Sequence, residues 1–419
     1  MQPKILTTLK GYDARQALGD ALAGLTVALV AIPLSIAIAI ASGADPATGL
    51  VTAIIGGLII SLLGGSRVQI GGPTGAFIVV VYGVIATHGF DGLVLATLMA
   101  GVILVLAGWL RLGSLVAHVP EPVVNGFTIG IGVIIGASQL KDFLGIGGPA
   151  LPADFVPKVA ALWDARGDIN PTAVGAGLGA LVLIVALRRL APRFPGLVVA
   201  VGVVSAAVLL ANLPVDTIAS RYGELPRSLP MPALPEVTLE RLRELFPSAL
   251  VIAFLAAIES LLSAMVADRM IGGSHRPNAE VAAQGWANIG SALFGGLPAT
   301  GAIARTATNV RAGGKTPVAG VLHALFILLI MLLAAPLAGY MAMPALAALL
   351  LLTAWNMTEP HKWREYMSAP LEDRALLLLT AVLTVLADLT VAIGVGVALG
   401  LALRLRRRQE PSDWKTPDR

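Results

Sequence analysis

The stretch GLPATGAIARTATNVRAGGK, Gly296 to Lys315, decides how the chain is read. It is apolar enough to lie within a membrane, yet Arg305 stands in its middle with Pro298, Thr300 and Gly301 just before. Bilayer hydrocarbon is ~30 Å thick and needs about 20 helical residues at ~1.5 Å each. Only ten residues separate Gly301 from Arg311. The stretch therefore reads as an extended lead, Leu297 to Thr300, followed by a half-helix that starts near the middle of the bilayer. The free N–H groups at such a start carry a partial charge of about +0.5 and make an anion site. Helical Cα–Cβ bonds lean toward the N-terminus, so Arg305 is expected to point back to the buried end. The plainer alternative is a re-entrant loop whose Arg is satisfied by nearby carbonyls. A charge inside a membrane segment is costly enough to favour the functional reading.

Composition sets the class around that stretch. Of 419 residues, 56% are hydrophobic and only 13% charged, and the mean hydropathy is +0.83, which excludes a soluble globule. The 46 Gly and 27 Pro suit close helix packing and interrupted helices. A formal net charge of +4 is too small to imply nucleic acid, and the absence of Cys excludes disulfides and thiolate chemistry. The five His at 88, 118, 275, 323 and 361 lack ligand spacing, so neither a metal nor a cofactor is expected. Met1 to Asp20 is amphipathic, with Lys4, Lys10 and Arg15 and no cleavable apolar core; it reads as an interfacial helix, with Asp20 capping the first span.

Apolar segments fall at 20–42, 46–64, 68–87, 92–110, 120–140, 171–190, 195–212, 247–268, 279–295, 298–311, 316–335, 341–356, 370–386 and 389–405. The third of each seven is short. The earlier short one reads GSRVQIGGPTGAF from Gly65: Val68 to Ile70 alternates like a strand, Gly71–Gly72 permits a break, and Pro73 suits a first helical turn. Two segments on, each half carries a second Pro-led phrase, VPEPVVNGFTIGIGVII from Val119 and MPALAALLLLTAWNM from Met343. Seven is odd, so the second copy enters the membrane upside down. The expected fold is an all-α polytopic membrane protein of fourteen transmembrane segments in a 7+7 inverted repeat. Short strands lead into half-helices in segments 3 and 10. Inverted repeats with broken helices meeting at the midplane mark secondary transporters.

Lys and Arg crowd the loops that share a side with the N-terminus, including Arg67, Arg111, Arg188, Arg189, Arg193, Arg269, Arg276, Arg311, Lys315, Lys362 and Arg364, with Arg404, Arg406, Arg407 and Arg408 in the tail. The turns at Gly43–Pro46, His88–Asp91, Gly295–Gly296, Gly339–Met341 and Ala387–Leu389 hold none, which puts both termini in the cytoplasm. Within the loop Pro214 to Phe246, LERLREL reads as a short surface helix.

Segment eight places Glu259 about twelve residues, or ~18 Å, inside Pro247, close to mid-membrane, with Ser263 one turn on. Three roles are open to that carboxylate: structural pairing with Arg305, help in holding a sodium ion together with Ser263 and Gly301, or uptake of a coupling proton. Asp45, Asp91, Asp268 and Asp388 fall at segment ends. Pro33 and Ser35 interrupt segment one near its middle, as a site-lining break or a simple kink.

Five phrases in order, DALAGLTVALVAIPLSIAIAIASGADPATGL from Asp20, GSRVQIGGPTGAF from Gly65, PEPVVNGFTIGIGVIIGASQL from Pro120, AIESLLSAMVAD from Ala257 and ARTATNVRAGGKT from Ala304, resemble the SulP sulfate-permease family of anion transporters, whose animal branch includes prestin and pendrin. The resemblance implies a core domain at 20–110 and 247–335 moving against a gate domain at 111–246 and 336–408. The flanks are an N-terminal segment at 1–19 and a cytoplasmic tail at 409–419, without the family's STAS domain. It implies a homodimer working by an elevator-type alternation. Carried over by position, the substrate-binding residues are Pro33, Leu34, Ile38, Gly72, Pro73, Thr74, Gly75, Gly301, Ala302, Ile303, Ala304 and Arg305, with Glu259 at the acidic position of segment eight and Ser263 beside it. Several relatives carry Gln after the segment-one Pro and an aromatic beside the third-segment Pro; here these are Leu34 and Thr74, a roomier and more polar pocket that leans toward an oxyanion or small carboxylate.

The sequence thus predicts a multi-pass bacterial inner-membrane protein and secondary transporter of small anions: a carboxylate or dicarboxylate, bicarbonate or a sulfate-like oxyanion. The expected mode is proton-coupled symport, with a sodium-coupled carrier, an anion channel and a nucleobase symporter as alternatives. An intramembrane enzyme is disfavoured because no Ser/His or metal-spaced pair shares a depth.

Overall fold

The computed structural model describes residues 2–116, 119–148, 150–191, 195–387 and 389–407. His118, Arg193, Asp388, Arg408 and the 409–419 tail lie outside the described residues. Seven helices are each long and apolar enough to cross a membrane: α1 Ala14–Ala41, α2 Pro46–Leu63, α3 Gly75–Trp109, α4 Glu121–Phe143, α5 Pro171–Leu190, then Leu239–Ile271 and Val318–Gly339. A shorter apolar helix, α6 Gly196–Leu210, precedes Leu239–Ile271, which is α7. In chain order there follow α8 Pro277–Leu293, α9 Ile303–Arg311, α10, which is Val318–Gly339, α11 Met343–Met357, α12 Leu371–Leu386 and α13 Leu389–Arg407, with shorter helices such as Phe155–Asp164 in the loops. Among the described residues the first-named seven meet the length and apolarity of a crossing on their own. α3 is two helices joined across a kink, where Gly89 takes φ 70°, ψ 178°.

Helix starts follow local chemistry, and several lie earlier than the apolar pattern implies. α1 begins at Ala14 because the Asp13 carboxylate accepts the Gln16 N–H at 2.7 Å. The expected interfacial helix is therefore reduced to Ile5–Thr8, and Asp20 is not a cap. Asp20 lies buried inside α1 and ties it to the α9–α10 turn, accepting from Lys315 N (2.8 Å), Thr316 N (3.3 Å) and Thr316 Oγ1 (2.5 Å). LERLREL is not a separate surface helix: Thr238 caps α7 there, and the helix runs on through Pro247. α1 likewise runs unbroken through Pro33, so that segment one is a continuous rod.

α1 and α7 are mostly buried whereas α5 is mostly exposed, which sets the first two at the centre. α3 packs along α7 and α8, α10 along α1 and α2, and α9 between α1 and α7; α4 packs along α11 and α12, and α5 along α6 and α11. Leu178 and Val182 on α5, Leu333 and Leu337 on α10 and Leu378 and Leu386 on α12 stay exposed, the apolar face that lipid covers.

The two ends of the bundle are joined by different contacts. At one, Arg241 pairs with Asp91 (2.5 Å) and Arg221 with Asp142 (2.5 Å) and Asp216 (2.8 Å). At the other, Lys4 N donates to Gly64 O (2.8 Å), Lys4 Nζ to Ser274 O (2.8 Å) and Arg276 Nη1 to Gln2 O (2.9 Å). Loops assigned to one side by their Lys and Arg thus meet one another.

Candidate functional site

The two short segments cross at a ladder of two residues each. β1, Gly71–Gly72, pairs antiparallel with β2, Thr300–Gly301, in the register Gly71↔Gly301 and Gly72↔Thr300. The strand therefore lies just beyond Val68–Ile70, where the alternation had placed it. Two glycines are required by the crossing. A Cβ on Gly301 would stand 1.7 Å from Gln69 Nε2, and one on Gly72, whose φ is +149°, would stand 2.3 Å from Arg305 Nη1.

A helix leaves each end of the ladder. Thr74, extended at φ −127°, ψ 156°, precedes the 3-10 turn Gly75–Phe77 that opens α3. Pro73 is consequently outside the helix and not in its first turn. Ala302 precedes α9, and its N–H donates to Ile70 O at 2.8 Å. By the register about four residues of extended chain, at most ~13 Å, separate Thr74 from Ala302, the residues that precede the two helices. α9 has nine residues, a half-helix as expected.

Arg305 is the third residue of α9 and 1% exposed. Its Nη2 donates to Pro73 O (3.0 Å) and Ser35 Oγ (3.1 Å), so the side chain does point back across β1 toward α1. Nε and Nη1 have no partner, nor has the buried Oγ1 of Thr74, among the described residues. No carboxylate lies within ion-pair distance of Arg305 among them either. Leu34 is half-buried, Pro33 and Ile38 are buried on α1, and Gly75 faces Met357 and Ile135 across the seam to α11 and α4. Ile303 and Ala304 stand on the more open side of α9.

Glu259 is elsewhere. It lies half-buried against Val119, Val123, Val124 and Phe127 at the seam between α7 and α4, so the proposed pairing with Arg305 is not made. Ser263 does not accompany it. That hydroxyl is fully buried and meets Thr306 Oγ1 at 3.0 Å, while the same Thr306 oxygen accepts from Ile70 N at 3.1 Å.

Three groups the sequence reading passed over hold this frame. Glu280 on α8 is fully buried and makes no ion pair among the described residues; its Oε2 accepts from Gly65 N (2.8 Å) and Ser66 N (3.1 Å), its Oε1 from Ser260 Oγ (3.0 Å) and Gln284 Nε2 (2.7 Å). Ser260 in turn accepts from Gln69 Nε2 at 2.8 Å, which carries the chain of bonds to β1. Asn288, two turns on from Glu280, brackets Ala299 through both its N–H (3.0 Å) and its carbonyl (2.8 Å), fixing β2. The signal was the spacing Glu280, Gln284, Asn288, Ser291, one polar stripe on an apolar helix. Thr52, in the π-helical turn Thr52–Gly56 of α2, accepts from Leu297 N at 2.6 Å. His323 on α10 is fully buried, and neither ring nitrogen has a partner among the described residues.

Two cavities of about 700 Å³ and 690 Å³ open at the end of the bundle that holds the Arg241–Asp91 pair. Both reach α3 at Val79, one turn beyond Gly75, and both are walled by Ile134 of α4. A loop closes over the first: Tyr82 donates to Leu151 O (2.5 Å), and Lys158 Nζ lies 5.5 Å from the Tyr82 ring centre. Burial holds Lys158 below the usual lysine range.

The family profile described as "Sulfate permease family" matches residues 18–373, most of the chain. The chain belongs to the sulfate permease family. Similar members include "Putative sulfate transporter YvdB" of Bacillus subtilis strain 168, 43% identical over 96% of this chain and 76% of that one. The bicarbonate transporter BicA of Picosynechococcus sp. is 31% identical over 90% of this chain and 68% of its own length. Among solved structures, the transmembrane domain of a cyanobacterial BicA superposes with a TM-score of 0.81 at 30% identity, covering 92% of this chain and 98% of that domain. SLC26A9 superposes at 0.86 with 18% identity over 97% of this chain and 68% of its own, a likeness of fold. Sulfate permease family members are transporters, and this chain is a polytopic membrane protein of the anion-transporting kind.

Proposed function

We propose that this chain is a secondary active carrier of a small oxyanion or carboxylate, which rests where the ladder delivers the starts of α3 and α9. One observation carries the reading: Arg305 is a buried guanidinium with no counter-charge among the described residues. An uncompensated buried charge costs several kcal/mol, and a bound anion would supply the missing partner. The N–H groups at the two helix starts and the Thr74 hydroxyl would hold its oxygens. The shorter apolar helices, with α3 counted as two, complete fourteen crossings in two inverted repeats. α1–α3 and α7–α10 form a core, and α4–α6 and α11–α13 a gate.

Glu259 lies on the seam between these two units, where an elevator-type shift would slide one past the other. A carboxylate among Val119, Val123 and Phe127 crosses an apolar seam more readily when protonated, which makes it the candidate coupling group. Membership of two protomers in a homodimer and cytoplasmic termini complete the reading.

The test is uptake of labelled sulfate, bicarbonate and dicarboxylates into proteoliposomes, with and without an imposed pH gradient, and counterflow after loading with unlabelled anion. A carrier shows counterflow; a channel does not. Arg305→Ala is expected to abolish uptake by protein that remains monodisperse. Normal uptake by that variant rejects the site.

A further inference from the structure

A second anion-binding place lies at the end of the bundle remote from the Arg241–Asp91 pair. There a cavity of about 670 Å³ is lined by Lys4, Lys10, Arg67 and Lys315, with hydroxyls from Thr7 and Thr8 and the glycine turn Gly272–Gly273 as its floor. None of its lining residues is acidic. Three carboxylates bond to or adjoin its lining residues, and Asp13 among them accepts from Gln16 N at 2.7 Å. Asp20 spends its oxygens on Lys315 N, Thr316 and the Tyr12 hydroxyl, and Asp268 one of its two, Oδ2, on the backbone N–H and ring of His275 at 2.7 Å. Four cations thus face one space whose lining holds no acidic side chain.

The four cations come from three different parts of the chain. Lys4 and Lys10 precede α1, Arg67 follows α2 on the way to β1, and Lys315 follows α9; the α7–α8 turn closes the ring. Arg67 lies on the lead into β1, and Lys315 follows α9, the helix that β2 leads into. Lys4 is held in place through its Nζ on Ser274 O, and its own affinity for a proton is lowered by burial and by Arg276, which with Arg67 outweigh the opposing pull of Asp268. Like charges crowded in this way repel, at a cost that a multivalent anion removes.

We propose that this cavity binds a phosphate group, presented either by an anionic lipid headgroup or by a soluble phosphate compound, and that the bound phosphate stiffens the frame carrying both strands. Phosphate fits better than a carboxylate because it brings more than one acceptor oxygen and up to two charges to several cations at once. The place, at the water-facing ends of spanning helices, is reachable by both sources.

The experiment measures thermal unfolding of the full chain, not uptake, so that it stands apart from the transport reading. Pyrophosphate is added to protein in neutral detergent, and separately the protein is placed in nanodiscs of phosphatidylcholine alone or with phosphatidylglycerol. The pocket variant is Lys4→Gln, Arg67→Gln, Lys315→Gln; the control, with the same loss of charge at other basic loops, is Arg188→Gln, Arg189→Gln, Arg364→Gln. At saturating ligand the midpoint of wild type and control is expected to rise ~2–3 °C, and that of the pocket variant to stay put. A response to pyrophosphate alone assigns a soluble ligand, and a response to phosphatidylglycerol alone a lipid. A Lys4→Arg, Lys315→Arg variant, which keeps the charge, must respond like wild type even if the Gln variant folds poorly. No response to any probe, an equal response in the pocket variant, or an equal loss in the control overturns the proposal.

Discussion

Glu280→Gln tests whether the frame around the ladder is held by one buried carboxylate. All four partners of Glu280 are donors, two on each oxygen, which fits an ionised side chain. A Gln has one oxygen and one NH2. If the NH2 faces the loop, the Gly65 and Ser66 N–H groups meet a donor; if it faces inward, Ser260 and Gln284 do. Either way two buried donors lose their acceptor, at ~1–3 kcal/mol each, with partial recovery by water or rotation, so ~3–5 kcal/mol is expected. By size scaling, 419 residues lose about 1 °C of midpoint per kcal/mol, giving a fall of ~3–5 °C in detergent. Because the same chain of bonds runs through Ser260 and Gln69 to β1, uptake should fall with stability. Arg305→Ala, in contrast, should lose uptake without a comparable fall in midpoint. A Glu280→Gln protein that unfolds within ~1 °C of wild type and transports normally refutes the reasoning, since it would mean that the carboxylate is not the anchor.

Gly301→Ala should cut uptake severely because its Cβ would occupy the place of Gln69 Nε2, and Gly301→Ala with Gln69→Ala should recover part of it by making room; a double variant no better than the single one speaks against that clash. Glu259→Gln should leave uptake insensitive to an imposed pH gradient, and a gradient response equal to wild type removes Glu259 from coupling. Lys158 is charged in the unfolded chain but has its affinity for a proton lowered by burial in the folded one. The folded state therefore binds fewer protons, and stability should rise with pH up to the ordinary lysine value of ~10.4. Lys158→Met should flatten that rise, as read from unfolding midpoints taken over the same pH range.

What the chain's sequence discloses is governed by distance along it. Ten residues between Gly301 and Arg311 can only be a half-helix, and the backward lean of a helical side chain is local geometry, so the aim of Arg305 was readable. The helix start was not, since Asp13 and Asp20 offer the same capping chemistry and apolarity marks only where hydrocarbon begins, whereas the helix extends beyond it. Asp20 found its partners at Lys315 and Thr316, nearly three hundred residues away. Glu280 is similar: Gly65 lies more than two hundred residues from it, and in its own neighbourhood, PNAEVAAQG, it reads as an acid in a first helical turn. Ser263 and Glu259 are one helical turn apart, yet they part company because Thr306 takes the serine and the α4 seam takes the carboxylate.

The placement of Arg305 bears on why such a site suits a carrier. Its guanidinium is braced by Pro73 O and Ser35 Oγ and packed behind Gly72, so that, in the proposed site, it would act on an anion at the helix starts as much by its field as by touch. At an effective dielectric of ~20 and a separation of ~6 Å, that field contributes ~3 kcal/mol, about a hundredfold in affinity. A fully paired, bidentate grip in a dry site would hold the anion more tightly and release it more slowly, which defeats a carrier that must let go on the far side. The charge alone should therefore account for most of the effect. Arg305→Lys, which keeps the charge but not the fork that braces it, should bind anion much more nearly like wild type than Arg305→Ala does. If Lys and Ala lose affinity equally in the same equilibrium binding assay, the guanidinium works by direct contact and not through its field.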